Sequence, residues 1–167
     1  MRDDLLMSEF RKPLQMLGDQ EYDGHLSIHD DKMAEDLGFS GAPIEGPTHF
    51  SQFVPLLHKV FGNDWFAKGC ISVHYQNMVV EGEEVQTMIE KAPDPSGIVA
   101  ISAQKRDGTL ALTGTASLGP DYGETELDKR MTKLRTSSQL VILSDLKVGQ
   151  KGAGNPECVR MDMDQHM

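Results

Sequence analysis

Three histidines, His25, His29 and His49, bracket a loop rich in glycine and proline, and they invite a search for a metal site. Their spacings match no known ligand pattern, so no metal and no cofactor are expected. The segment Gly46-Pro-Thr-His-Phe-Ser-Gln52 carries more promise. It opens an apolar helix, where unpaired backbone amides and the helix dipole face any developing negative charge. Gly46 lets a ligand approach the backbone closely, and His49 follows directly on Thr48. Plainer roles compete for the remaining candidates. Asp23 can make a simple turn with Gly24, and His29 can be a surface residue ahead of a short helix. His25 and His58 read as structural or exposed, and His74 alternates away from Val73 and Tyr75 toward solvent. The two cysteines, Cys70 and Cys158, form no CxxC pair and read as free thiols of a reducing compartment. Cys70 lies in an apolar strand, where burial accounts for it better than nucleophilic chemistry does. No nucleophile elbow and no glycine-rich phosphate loop are present.

The elements that would position these residues follow from the periodicity. Residues 1–20 are weakly patterned and offer at most an N-terminal strand, with Pro13 discouraging a helix through Leu14. Asp30 to Leu37 reads as a short helix stopped by Gly38. A turn-rich loop from Phe39 to Pro47 follows. Thr48 to Phe61 is the strongest helix, with Thr48 as N-cap and Phe50, Phe53, Val54, Leu57 and Val60 on its apolar face. Pro55 implies a kink or a late start there. Gly69 to Val80, Val85 to Ala92, Ile98 to Gln104 and Leu110 to Leu118 then read as four strands in a meander. The last two are joined by a tight turn over Arg106-Asp-Gly108.

One apolar helix followed by antiparallel strands requires a sheet that covers the helix. The fold class expected is α+β: a hotdog, with a curved antiparallel sheet wrapped around a central helix. The expected division is a hotdog domain over residues 1–120 and a charged linker and tail over residues 121–167. Within that tail, Leu146-Lys-Val-Gly-Gln150 could begin a second hotdog repeat. The formal net charge of -10 argues against nucleic acid and against anionic lipid. Neither a signal peptide nor a run of about 20 apolar residues occurs, so a cytoplasmic protein with no membrane contact is expected.

From Asp23 to Pro120 the sequence resembles the MaoC-like family of hotdog proteins, which includes the R-specific enoyl-CoA hydratases. The family motif runs Asp-x-Asn-Pro-x-His, an acidic residue, an alanine, Gly-Phe, and Pro-Ile before the glycine of the central helix. The corresponding residues here are His29-Asp30-Asp31-Lys32-Met33-Ala34, Gly38-Phe39, and Pro43-Ile44-Glu45-Gly46. The strand from Ile71 to Gly82 is similar to the family strand that ends in a Gly-Asp turn. The Asn-Pro step is Leu26-Ser27 here, and the usual His-Gly is Glu45-Gly46. The family's acid/base pair then corresponds to Asp23 and His29, with one residue of slack between them.

The resemblance implies an acyl-thioester hydratase or dehydratase, acting on acyl-CoA or an acyl-carrier thioester. Asp23 and His29 would activate a water, with His49 as a substitute base. Gly46 and Thr48 would bind the substrate, with backbone amides at the helix start on the thioester oxygen. It also implies a homodimer or a paired hotdog domain. Two other readings stay open: a non-catalytic acyl-binding or structural half of a paired assembly, and a thioesterase in which Glu45 directs water at the carbonyl.

Overall fold

Apolar side chains alternate from residue 69 onward, and the chain answers with a five-stranded antiparallel sheet. The computed structural model describes residues 4–16, 21–22, 25–135, 144–152 and 154. The elements in chain order are β1 (Leu5–Met7), β2 (Glu21–Tyr22), β3 (His25–Leu26), α1 (Asp31–Asp36), α2 (Gly46–Ser51), α3 (Val54–Phe61), α4 (Asp64–Lys68), β4 (Gly69–Tyr75), β5 (Val85–Glu90), β6 (Ile98–Lys105), β7 (Leu110–Leu118) and α5 (Glu126–Met131). The sheet order is β1-β5-β6-β7-β4, and β2 and β3 form a separate small ribbon.

Register explains which side chains face inward. Ile89 lies opposite Ile101, Ile101 opposite Gly114, and Gly114 opposite Val73. With a period of two, Val85, Thr87, Val99, Ala103, Leu112, Ala116, Ile71 and Tyr75 share that inner face. Phe53, Leu56 and Leu57 press into it, and Phe53 and Leu57 are fully shut from solvent. A sheet curved over one apolar helical segment is the hotdog architecture expected. Gly114 permits the tight join of β4 to β7: a Cβ there would lie 2.1 Å from the Ser72 carbonyl oxygen.

Three expectations need correction. The single helix from Thr48 to Phe61 is two helices, α2 and α3, meeting at Gln52 and Phe53. Pro55 has no amide to donate to Ser51, so the run breaks there and the proline sits in the first turn of α3. Thr48 is not the N-cap. Helix α2 starts at Gly46, with Glu45 as the extended residue before it, because Pro47 fits a first turn that needs no amide donor. The four strands are also not one meander. Only β5, β6 and β7 reverse on one another, while β4 lies at the far edge beside β7.

Smaller differences are local. Helix α4 lay unmarked in the sequence; its Trp65 ring stacks on Phe61 with centroids 5.9 Å apart. Phe50, Cys70 and His74 are all half-buried, whereas His58 is exposed and its ring meets the Asn63 side-chain oxygen at 3.0 Å. After residue 120, α5 opens with a capping box between Thr125 and Asp128. Its amides donate outward-in: Glu126 N–H to Thr115 Oγ1 at 3.1 Å and Leu127 N–H to Ser72 Oγ at 2.9 Å. It therefore docks on the outer face of β4 and β7. The apolar run 140–143 and most of the tail after residue 152 lie outside the described residues.

Candidate functional site

The loop between α1 and α2 is tied down at both ends. Ala42 N–H donates to Asp31 Oδ1 at 3.0 Å, and Ile44 N–H to the Val79 carbonyl at 2.8 Å. The loop therefore presents the Pro43 carbonyl in a fixed place. His29 Nδ1 lies 2.5 Å from that oxygen, and the Gln15 side-chain amide donates to it at 3.2 Å. A carbonyl only accepts, so Nδ1 carries the hydrogen. In the neutral ring Nε2 is then the basic nitrogen.

Helix α2 supplies the facing wall. Its first residue is Gly46, and its fourth is His49, which is 4% exposed. Burial pushes the His49 pKa below the ordinary 6.5, because an imidazolium there loses its hydration; the Gln52 side chain and the Glu45 carboxylate oppose that shift. Its Nδ1 is shut from solvent and has no hydrogen-bond partner. Nε2 is thus the nitrogen that the ring offers to a ligand.

Tyr75 closes the third side. Its hydroxyl donates to the Gly46 carbonyl at 2.7 Å, and its ring centroid lies 6.1 Å from that of His49. Burial raises the Tyr75 pKa, which keeps the phenol a donor at neutral pH. A Cβ on Gly46 would come within 2.8 Å of the Tyr75 oxygen, so the glycine makes room for the tyrosine.

These side chains enclose a cleft of about 410 Å³. Ile28, Phe39, Pro43, Ile44, Met78 and Val79 give it apolar walls, and Gln76 and Asn77 stand at the end of β4. The size suits a small organic group. Of the residues singled out in the sequence, His29, Gly46 and His49 meet here. Thr48 does not line the cleft; its amide turns back to the Glu45 carbonyl at 3.1 Å. Glu45 is not part of the wall either, and its carboxylate accepts the Met16 amide at 2.9 Å. Asp23 lies outside the described residues. Sequence reasoning missed Tyr75, although its alternation with Ile71 and Val73 assigns it to the inner face. Among the described residues, no cluster of three His, Cys, Asp or Glu could hold a metal. No helix among them is long and apolar enough to cross a membrane.

No family model matches the chain, and no curated protein is similar to it. Several solved structures superpose on parts of it. An (R)-hydratase from A. caviae involved in PHA biosynthesis matches 55% of this chain and 75% of its own, at 23% identity and a TM-score of 0.41. An R-hydratase from Pseudomonas aeruginosa matches 53% of this chain and 59% of its own, at 14% identity and a TM-score of 0.41. A monoamine oxidase regulatory protein from Archaeoglobus matches 57% of this chain and 71% of its own, at 16% identity and a TM-score of 0.42. The fold assignment therefore rests on the sheet order and the enclosed helix themselves. Chemically, the cleft offers two imidazole rings, the backbone of Gly46 and a phenol around an apolar space.

Proposed function

We propose that the cleft receives an acyl thioester and adds or removes water across it. The substrate would be an enoyl-CoA or 3-hydroxyacyl-CoA, or the same acyl group on a carrier protein. One observation carries this reading: His29, His49 and Gly46 line a single apolar cleft, and the His29 Nδ1–H on the Pro43 carbonyl leaves Nε2 as the basic nitrogen of the neutral ring. In hydration, an imidazole takes a proton from water as the oxygen bonds to the β-carbon. The displaced electron pair moves toward the thioester oxygen, where the Gly46 amide would donate. A proton then goes to the α-carbon from the imidazolium just formed or from a protonated Asp23. Dehydration runs the same steps backward.

The test is hydration of a panel of short and long enoyl-CoA thioesters by the full chain. His29→Ala, His49→Ala and Asp23→Asn should each be assayed alone. Loss of a general base typically lowers the rate at least about 10²-fold. If His49→Ala alone is damaging, the acid/base role lies on α2 and not with Asp23 and His29. The second reading, an acyl-binding protein without turnover, is favoured by one feature: no carboxylate lines the cleft among the described residues. Saturable thioester binding with no turnover by the unmutated chain would replace the hydratase reading with this one.

A further inference from the structure

We propose that Gln52 is a positioning residue for His49: its side-chain oxygen takes the His49 Nδ1–H and leaves Nε2 as the free base turned to the cleft. This rests on reading His49 as the group that meets the ligand. Gln52 caps α2 in helical conformation, with φ -65 and ψ -24, three residues beyond His49. Side chains at that spacing share one face of a helix. The two atoms in question are complementary and otherwise orphaned. His49 Nδ1 and Gln52 Oε1 are both shut from solvent, and neither has a hydrogen-bond partner.

The pair stops short of hydrogen-bond geometry as it stands, although the Gln52 side chain already counters the desolvation of the ring. The final torsion of a glutamine is soft, so the oxygen is free to turn toward Nδ1. The tautomer of a neutral imidazole follows from the bond that one nitrogen makes. An acceptor at Nδ1 therefore fixes the hydrogen there and frees Nε2. His29 reaches the same state through a different acceptor, the Pro43 carbonyl. Two imidazoles on opposite walls would then present the same basic nitrogen to one space. The reverse amide orientation would donate to Nδ1, place the hydrogen on Nε2 and abolish the base. The Glu45 carboxylate acts on the His49 ring through space, and the Tyr75 ring stands beside it.

The tautomer can be read without any ligand or turnover, so it is independent of the hydratase assay. Long-range ¹H–¹⁵N spectra of the labelled full chain would be recorded above the His49 pKa, with the signals assigned by their loss in His49→Asn. The expected pattern is a protonated Nδ1 and an unprotonated Nε2. Gln52→Met keeps the length and removes the acceptor, so the Nδ1–H form should lose its majority. Gln52→Glu keeps an acceptor and should retain it. An Nε2–H ring in the unmutated protein would overturn the proposal, and so would an unchanged tautomer in a folded Gln52→Met. The unmutated spectrum decides even if a variant fails to fold.

Discussion

A buried imidazole stays uncharged near neutral pH because the cation would lose its water, and His49 is such a group. Its folded pKa lies below the ordinary 6.5, which the unfolded chain recovers. Above that value neither state binds the proton, and the full stability is present. As the pH falls through the window below 6.5, the unfolded chain takes up a proton first, and stability is lost until the folded pKa is passed. Urea midpoints at about pH 7.5 and about pH 5.5 should therefore fall further apart in the unmutated protein than in His49→Gln. Parallel midpoints would show that folded His49 accepts its proton without penalty. How much of this site could be read beforehand depends on the residue. Gly46 and His49 follow from the start of an apolar helix, which is a local signal. The role of Thr48 does not, because Pro47 draws the helix start back to Gly46 and leaves the threonine inside it. Tyr75 is legible as an inner-face residue, but its bond to Gly46 depends on where β4 lies in the sheet.

The elements show where local pattern stops being sufficient. Each strand from β4 to β7 follows from alternation, and the β6–β7 turn follows from Asp107-Gly108, with Gly108 at φ 87. The neighbour of β4 does not follow from its own residues. Glu81-Gly-Glu-Glu84 looks like a hairpin turn, yet the preceding segment is pinned elsewhere. The Gln76 and Asn77 amides both donate to the Ala111 carbonyl, at 2.9 and 3.3 Å, and Pro43 bridges Val80. The chain is thus led across to the far side of the sheet, where β5 lies between β1 and β6. The same layer fixes the core. Phe53 stands at the junction of α2 and α3, fully buried against the inner face of the sheet. Phe53→Ala should lower stability by about 3–5 kcal/mol in chemical denaturation, the usual range for emptying a buried phenylalanine. A loss under about 1 kcal/mol would mean that the cavity closes or that the helix pair is peripheral. Ile71 and Val73, which face the core from β4, are only partly buried, because β4 is an edge strand.

At the scale of the whole molecule, that edge and the net charge both have consequences. Among the described residues, strand β4 has seven residues and β7 on one side only, whereas the opposite edge, β1, has three residues. A long unpaired edge is a template for a second chain. A homodimer joined edge to edge through β4 is therefore expected, and a monodisperse monomer at micromolar concentration in light scattering would exclude it. The charge bears on the thioester reading. The chain carries -10, and no Lys or Arg lines the cleft among the described residues. Coenzyme A is a polyanion, so its phosphates approach a surface of like sign. Such repulsion weakens as salt shortens the Debye length, from about 30 Å at 0.01 M to about 8 Å at 0.15 M. Raising the salt over that range should lower KM for an enoyl-CoA and leave kcat nearly unchanged. A short uncharged thioester carrying the same acyl group has no phosphates to repel, and its KM should barely respond. The comparison separates the carrier from the acyl group. If KM for the CoA ester instead rises with salt while the neutral ester stays flat, cations outside the cleft clamp the phosphates, and the net charge is a poor guide to the local field.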